Sequence, residues 1–241
     1  MRETAMQSQK NRSWLNIGRD FNTMTWVLMP VAIAINMAVG QIVAILKLPV
    51  YLDSIGTMLV GVLCGPWAGA LTGVLANTIL GLTINPDFLP WWPVQALIGL
   101  TSGICANFGL FKSWWKVVVT GFVIALVATI VGTPISIAVF SGLSASGSSI
   151  ITAFLLETGR SLVAAVLTTN FISEPLDKIA TSLLAFAVID GLSARYLARF
   201  PRGENAQIDQ QRRTSELVIA LVVVVILVVV NILFVVPLLN Q

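Results

Sequence analysis

Ionisable and aromatic residues gather in a few short stretches of an otherwise apolar chain. The stretch INPDFLPWWPVQ, residues 84–95, holds three prolines, Asn85, Asp87, Phe88, Trp91, Trp92 and Gln95. One reading is an aromatic belt at a membrane interface. The other is a rigid lid whose rings stack on a flat ligand, with proline lowering the entropy cost of holding it closed. Gln95, one turn into the following helix, would reach such a ligand from below. Glu157 and Arg160 stand three apart in AFLLETGRSLVAAVL. On a helix they share a face and can pair. Charged groups in an apolar segment are functional candidates, because desolvating them is costly; the alternative is a self-neutralising pair at the interface. Asp53 falls at an expected helix start, where an N-cap carboxylate meets free N–H groups and the positive end of the dipole. Asn170, Glu174, Asp177 and Lys178 bracket Pro175 and read as groups that cap and solvate a helix beginning there.

Other chemistries lack their residues. The chain has no histidine, the commonest metal ligand and general base. Cys64 and Cys105 lie inside apolar runs and read as small buried hydrophobes. No metal site, and no cofactor of any kind, is expected. There is no phosphate-binding glycine loop and no acidic pair suited to acid–base work at membrane depth. The basic clusters sit at the ends of apolar segments, where they orient a membrane protein, so no nucleic-acid partner is expected.

The elements that must position these residues are membrane helices. Of 241 residues, 56% are hydrophobic and 10% charged, whereas a soluble domain carries about a quarter charged residues. A spanning helix needs about 20 apolar residues. Apolar segments run over 24–46, 54–64, 66–82, 91–111, 117–140, 150–169, 175–200 and 217–239. Gly65-Pro66 separates the second from the third, proline being tolerated in a first helical turn, and Pro134 is expected to kink the fifth. Residues 1–22 read as a cytosolic or interfacial lead, not as a signal peptide, and 201–216 as a cytosolic linker. Cations concentrate in 1–22, 112–116 and 195–214, so the positive-inside rule puts these in the cytoplasm. Residues 150–200 must then cross once net, their first part being a re-entrant or outer-leaflet helix.

Gly65, Gly69 and Gly73 share one helix face, as do Ala34 and Ala38. Small residues four apart let helix backbones approach closely in lipid. They serve either internal packing or docking onto another subunit. Asn36, Gln41, Thr57 and Asn77 are uncharged polar groups within spans and read chiefly as interhelical hydrogen bonds.

The stretches LDSIGTMLVGVLCGPWAGALTGVLAN (52–77) and PVQALIGLTSGICA (93–106), with the Pro/aromatic loop between them, resemble the substrate-binding S components of energy-coupling factor (ECF) transporters. EPLDKIATSLLAFAVIDGLSARYL (174–197) resembles that family's last helix. The resemblance implies an all-α integral membrane protein of the plasma membrane: a six-helix bundle over 23–200 with a cytoplasmic N-terminus. It implies capture of a vitamin-like molecule at the outer face and delivery through a transmembrane coupling subunit driven by two cytosolic ATPases. The family's A-x-x-x-A docking motif matches Ala34 and Ala38. Its binding region, carried onto this chain, holds Tyr51, Asp53, Asn85, Trp91, Trp92, Gln95, Glu157, Arg160 and Asn170. Two features depart from the pattern. The segment 217–239 would be an additional transmembrane helix, and 150–169 is longer than a simple outer loop.

Two rival functions are a membrane-embedded enzyme and a membrane sensor domain. The first lacks a nucleophile beside a base. The second lacks a stretch able to fold into a soluble output domain. Which solute is bound, and whether the coupling module is dedicated or shared, is not written in these residues.

Overall fold

The computed structural model describes residues 17–144 and 146–206, together with seven helical positions between 218 and 229. The described residues form helices and no strands. A single helical turn, Ile17–Asp20, precedes α1 (Thr23–Ile45). Then follow α2 (Ile55–Cys64), α3 (Pro66–Thr83), a 3₁₀ turn (Pro86–Trp91), α4 (Trp92–Asn107), α5 (Trp114–Phe140), α6 (Ser149–Glu157) and α7 (Leu162–Gly191). Short turns at Ala194–Leu197 and Gly203–Ala206 close the body.

Two of these helices, α1 and α5, are long and apolar enough to cross a membrane. α7 is longer, with 30 residues, about 45 Å at about 1.5 Å per residue, but it carries charges within its length. α2 has only 10 residues and every one is buried, so it is a core helix wrapped by α1, α3, α4 and α7.

Glycine explains how so many helices reach one centre. A Cβ built on Gly69 would stand 2.6 Å from Gly61 Cα and 2.7 Å from the Gly99 carbonyl oxygen. These three glycines therefore bring α2, α3 and α4 into backbone contact, the close approach that small residues permit in lipid. Gly65 and Gly73 pack inside the body as well, against Asp20 and the Gln95 backbone. The glycine row is thus an internal seam. Ala34 and Ala38 are exposed on α1, on the same outward side as Val27, Val31, Ile42 and Ile45.

Several boundaries differ from the sequence expectation. The junction of α2 and α3 at Gly65-Pro66, where Gly65 has φ 125°, is the expected one, but others are not. Asp53 is not the N-cap of α2; Ser54 is. The Gly56 N–H, which a capping carboxylate would have taken, donates instead to Asn36 Oδ1 of α1 at 2.7 Å. Asn36 also donates to Thr57 Oγ1 at 2.8 Å, so one buried amide ties α1 to the start of α2. No helix break occurs at Pro175, and α7 runs through it. Neighbouring helices let a membrane helix tolerate an internal proline. The break falls earlier, at Thr158–Ser161, where Gly159 adopts φ 83°.

The end of the bundle holding the Gly65 turn is locked by an ion pair. Arg202 donates to Asp20 through Nε at 2.8 Å and Nη2 at 2.7 Å, and through Nη1 to Asn107 at 3.1 Å. Asp20 also accepts the Trp67 N–H at 3.1 Å. The end of the expected lead and the start of the expected 201–216 linker are therefore packed into the body. Residues 1–16, 207–217 and most of the expected span 217–239 lie outside the described residues.

Candidate functional site

At the opposite end of the bundle the helices part around a cavity. Its free volume, open mouth included, is about 960 Å³. Its walls come from the last turns of α1, the 47–53 loop, the end of α3, the Pro86–Trp91 turn, the start of α4, the 144–147 loop and the middle of α7. Val43, Leu80, Phe88, Val94 and Ile98 make most of the lining apolar. A concave apolar wall with a few convergent polar groups is the usual form of a small-molecule site.

The loop that borders the cavity is held from below. Asp177 Oδ1 accepts the backbone N–H groups of Tyr51 and Leu52 at 2.7 and 2.8 Å. Leu52 has φ 48° and Lys47 φ 51°, left-handed conformations that cost a non-glycine residue about 1–3 kcal/mol. The two charge-assisted bonds to Asp177 offset that strain. Across the gap, Tyr51 Oη and Ser148 Oγ lie 2.7 Å apart. Burial raises the pKa of the Tyr51 phenol, so it remains a neutral hydroxyl. A Cβ on Gly147 would meet the Leu48 carbonyl oxygen at 2.3 Å, so only glycine lets the 144–148 loop close this tightly on the 47–53 loop.

Glu174, Asp177 and Lys178 are all buried on α7. Lys178 Nζ pairs with Asp177 Oδ2 at 2.5 Å and lies 3.7 Å from Glu174 Oε2. The second distance is too long for a hydrogen bond, and Glu174 Oε2 has no hydrogen-bond partner. Lys178 also stands 5.4 Å from the centre of the Tyr51 ring, within cation–π reach. Asp53 lies nearby and accepts the Ser54 hydroxyl at 2.8 Å. Removal from water pushes its carboxyl above the ordinary carboxylate range, against the opposing pull of Lys178.

Of the residues singled out in the sequence, Tyr51, Asp53, Asn85, Trp91 and Gln95 line this cavity. Trp91 stacks on Phe140, with ring centroids 5.5 Å apart and planes 10° from parallel. Asn85 caps the 3₁₀ turn by accepting the Asp87 N–H at 3.0 Å. Asn170 lines a smaller adjoining pocket beside Tyr51, Trp91 and Glu174, and donates to Thr133 at 2.9 Å. Trp92 is exposed and outside the lining. Glu157 and Arg160 are exposed and not brought to the cavity. They do not share a helix face: α6 stops at Glu157, and Arg160 follows the Gly159 turn. No ion pair joins them among the described residues.

Sequence reasoning missed the inward aim of Glu174 and Lys178. The spacing carried a signal, since positions 174 and 178 share one helix face if the helix runs through Pro175. Asn77, read as an interhelical bond, also lines the cavity, and its Oδ1 has no partner.

Neither a search of curated proteins nor one of solved structures yields a significant match. A family model does: ECF transporter, substrate-specific component, matches residues 23–189, from the first residue of α1 almost to the end of α7, and the chain belongs to that family.

Proposed function

We propose that this membrane protein captures a vitamin-like small molecule from the outer face in the cavity between the 47–53 loop and the Pro86–Trp91 turn. A transmembrane coupling subunit driven by cytosolic ATPases then receives the cargo. Members of the family are substrate-binding transporter subunits, not enzymes, and binding needs no chemical step here. In this reading α1 to α5 and α7 are the six helices of the membrane domain, and 217–239 adds a further span. The cytoplasm lies on the side of Arg19, Lys112, Lys116 and Arg202, as the positive-inside rule would have it.

One observation carries the proposal. The residues around the cavity combine an apolar wall, an aromatic surface at Trp91 and buried polar atoms on Asn77, Gln95 and Glu174 that make no hydrogen bond. Buried polar groups are nearly always hydrogen-bonded, and exceptions call for a reason. A ligand is that reason. The proposed contacts are Tyr51, Asp53, Asn85, Trp91, Gln95 and Asn170, joined by Asn77 and Glu174.

Ala34 and Ala38 are proposed as the docking surface, because both are small, exposed and one turn apart on α1. Native mass spectrometry of the detergent-purified chain tests capture, and co-purification with the coupling subunit tests docking. The parent protein should retain a small-molecule mass, and Trp91→Ala should lose it. Ala34→Trp should keep that mass and lose the coupling subunit. A parent protein with no retained mass, and no stabilisation by any small solute, would end the capture reading.

A further inference from the structure

We infer that the ligand of this cavity is a small, flat organic cation whose N–H groups donate to Asn77 Oδ1, Gln95 Oε1 and Glu174 Oε2. The inference rests on the capture reading above and adds the chemical class of the cargo.

The three residues line one cavity, and these side-chain oxygens are buried and make no hydrogen bond, Glu174 Oε2 having only the Lys178 ammonium at 3.7 Å. Each is an acceptor, so each calls for a donor. Asn77 and Gln95 are 1% and 3% exposed, which leaves little chance of solvation by bulk water. The Gln95 amide has a preferred orientation: its Nε2 faces the Asp53 carbonyl oxygen at 3.5 Å, and turning the amide over would set two oxygens against each other. Leaving a buried acceptor unmet costs about 1–3 kcal/mol. A ligand with several N–H donors recovers that cost at three places at once.

Charge points the same way. Glu174, Asp177 and Asp53 surround a single ammonium, Lys178. Lys178 Nζ is held by Asp177 and lies near Glu174. Asp177 and Lys178 neutralise each other, so any negative charge carried by Glu174, Asp53 or Asp87 meets no second ammonium among the lining residues. Among the described residues no arginine lines the cavity, so an anionic ligand would find no bidentate partner there. A cation replaces the missing counter-charge, and Trp91 offers a ring face that attracts it. Flatness follows from Trp91, whose indole is already parallel to Phe140.

Three probes share one ring and differ only in their polar head: benzamidine, benzamide and benzoate. They are applied at millimolar concentration to the full chain in detergent, and thermal unfolding is followed. The expected order of stabilisation is benzamidine first, benzamide weaker, benzoate none. Glu174→Gln keeps the shape and removes the charge. It should lower the affinity for benzamidine tenfold or more and leave benzamide within a factor of about two. Gln95→Leu, which removes an acceptor and no charge, should weaken both N–H-bearing probes, benzamidine and benzamide, together.

Ligand released from the native protein by denaturation is identified by mass. A released cation or polyamine heterocycle supports the inference. A released carboxylate or phosphate, or stabilisation by benzoate equal to that by benzamidine, overturns it while capture itself stands. If nothing is released and no probe stabilises the protein, both readings fail together.

Discussion

Replacing Asp177 by alanine should free the loop that borders the cavity. Asp177 is fully buried and does two things at once. It accepts the N–H groups of Tyr51 and Leu52, and it pairs with Lys178. Hydrogen bonds to a charged group contribute about 1.5–3 kcal/mol each, so two of them hold the loop by about 3–6 kcal/mol. Local opening should then become about 10²- to 10⁴-fold more frequent, at about 1.4 kcal/mol per decade. Hydrogen exchange at the Tyr51 and Leu52 amides reads that ratio directly. Leu52 adds to the effect, since its φ of 48° relaxes once the acceptor is gone. Asp177→Asn separates the two roles. Its side-chain oxygen can still accept both N–H groups, so loop protection should fall much less. It loses the charge, however, and leaves Lys178 buried with Glu174 as its remaining near partner. Breaking a buried pair costs about 3–5 kcal/mol, so asparagine should lower global stability while sparing the loop. Unchanged exchange at Tyr51 and Leu52 in Asp177→Ala would refute the argument, because the loop would then be held by something else.

Arg202→Met should cost about 3–5 kcal/mol in detergent, because it strands the buried Asp20 carboxylate; thermal unfolding measures it. Burial already holds the Asp20 carboxyl above its ordinary range against the pull of Arg202, so the loss should shrink as pH falls and Asp20 takes up a proton, and a loss that grows on acidification would contradict this. Asp53 gives a second pH test on the ligand-free protein. A carboxyl raised by the fold contributes stability below its unfolded pKa and loses it as pH rises through the folded value. Asp53→Asn lacks that loss, so its melting temperature should gain on the parent's as pH climbs above the ordinary carboxylate range; a constant difference would count against it. Gly99→Ala should be severely destabilising, because its Cβ would stand 2.2 Å from the Gly69 carbonyl and overpacking alone costs about 1–3 kcal/mol. Gly191→Ala, with nothing within 4 Å, is the control and should leave the melting temperature nearly unchanged.

What could be read in advance was what depends on local chemistry. Gly65-Pro66 marks a helix junction because glycine tolerates a positive φ, here 125°, and proline fits a first turn. The Pro/aromatic stretch, read as a lid or an aromatic belt, is a 3₁₀ turn at the cavity mouth, with Pro86 at its first position and Pro90 inside it. Asp53 went the other way. A capping carboxylate was a sound local expectation, but Asn36, seventeen residues earlier on α1, takes the Gly56 N–H instead. That competition depends on how closely α1 and α2 approach, which Gly56 decides: a Cβ there would stand 2.0 Å from the Ala32 carbonyl oxygen. No window along the chain contains both partners.

The charged turn of α7 shows the limit most clearly. Glu174, Pro175, Asp177 and Lys178 together look like the start of a helix: acid first, proline at an early position, polar groups around them. In the fold they are the middle of one, and their charges point inward. What reverses the reading is tertiary. α5 packs on α7 where Gly121 meets the Ile179 backbone, with a built Cβ only 2.6 Å from Ile179 Cα. That support lets the helix continue through proline. It also places the charges beside the 47–53 loop, whose N–H groups and whose Tyr51 ring give Asp177 and Lys178 their partners. Charges become affordable at such depth only when partnered. Asp177 and Lys178 pair with each other and Glu174 Oε2 lies 3.7 Å from Lys178, whereas Gln95 Oε1 and Asn77 Oδ1 have no hydrogen-bond partner. The division separates the charges that hold the 47–53 loop from the buried oxygens left without a hydrogen bond, on which the proposed capture rests.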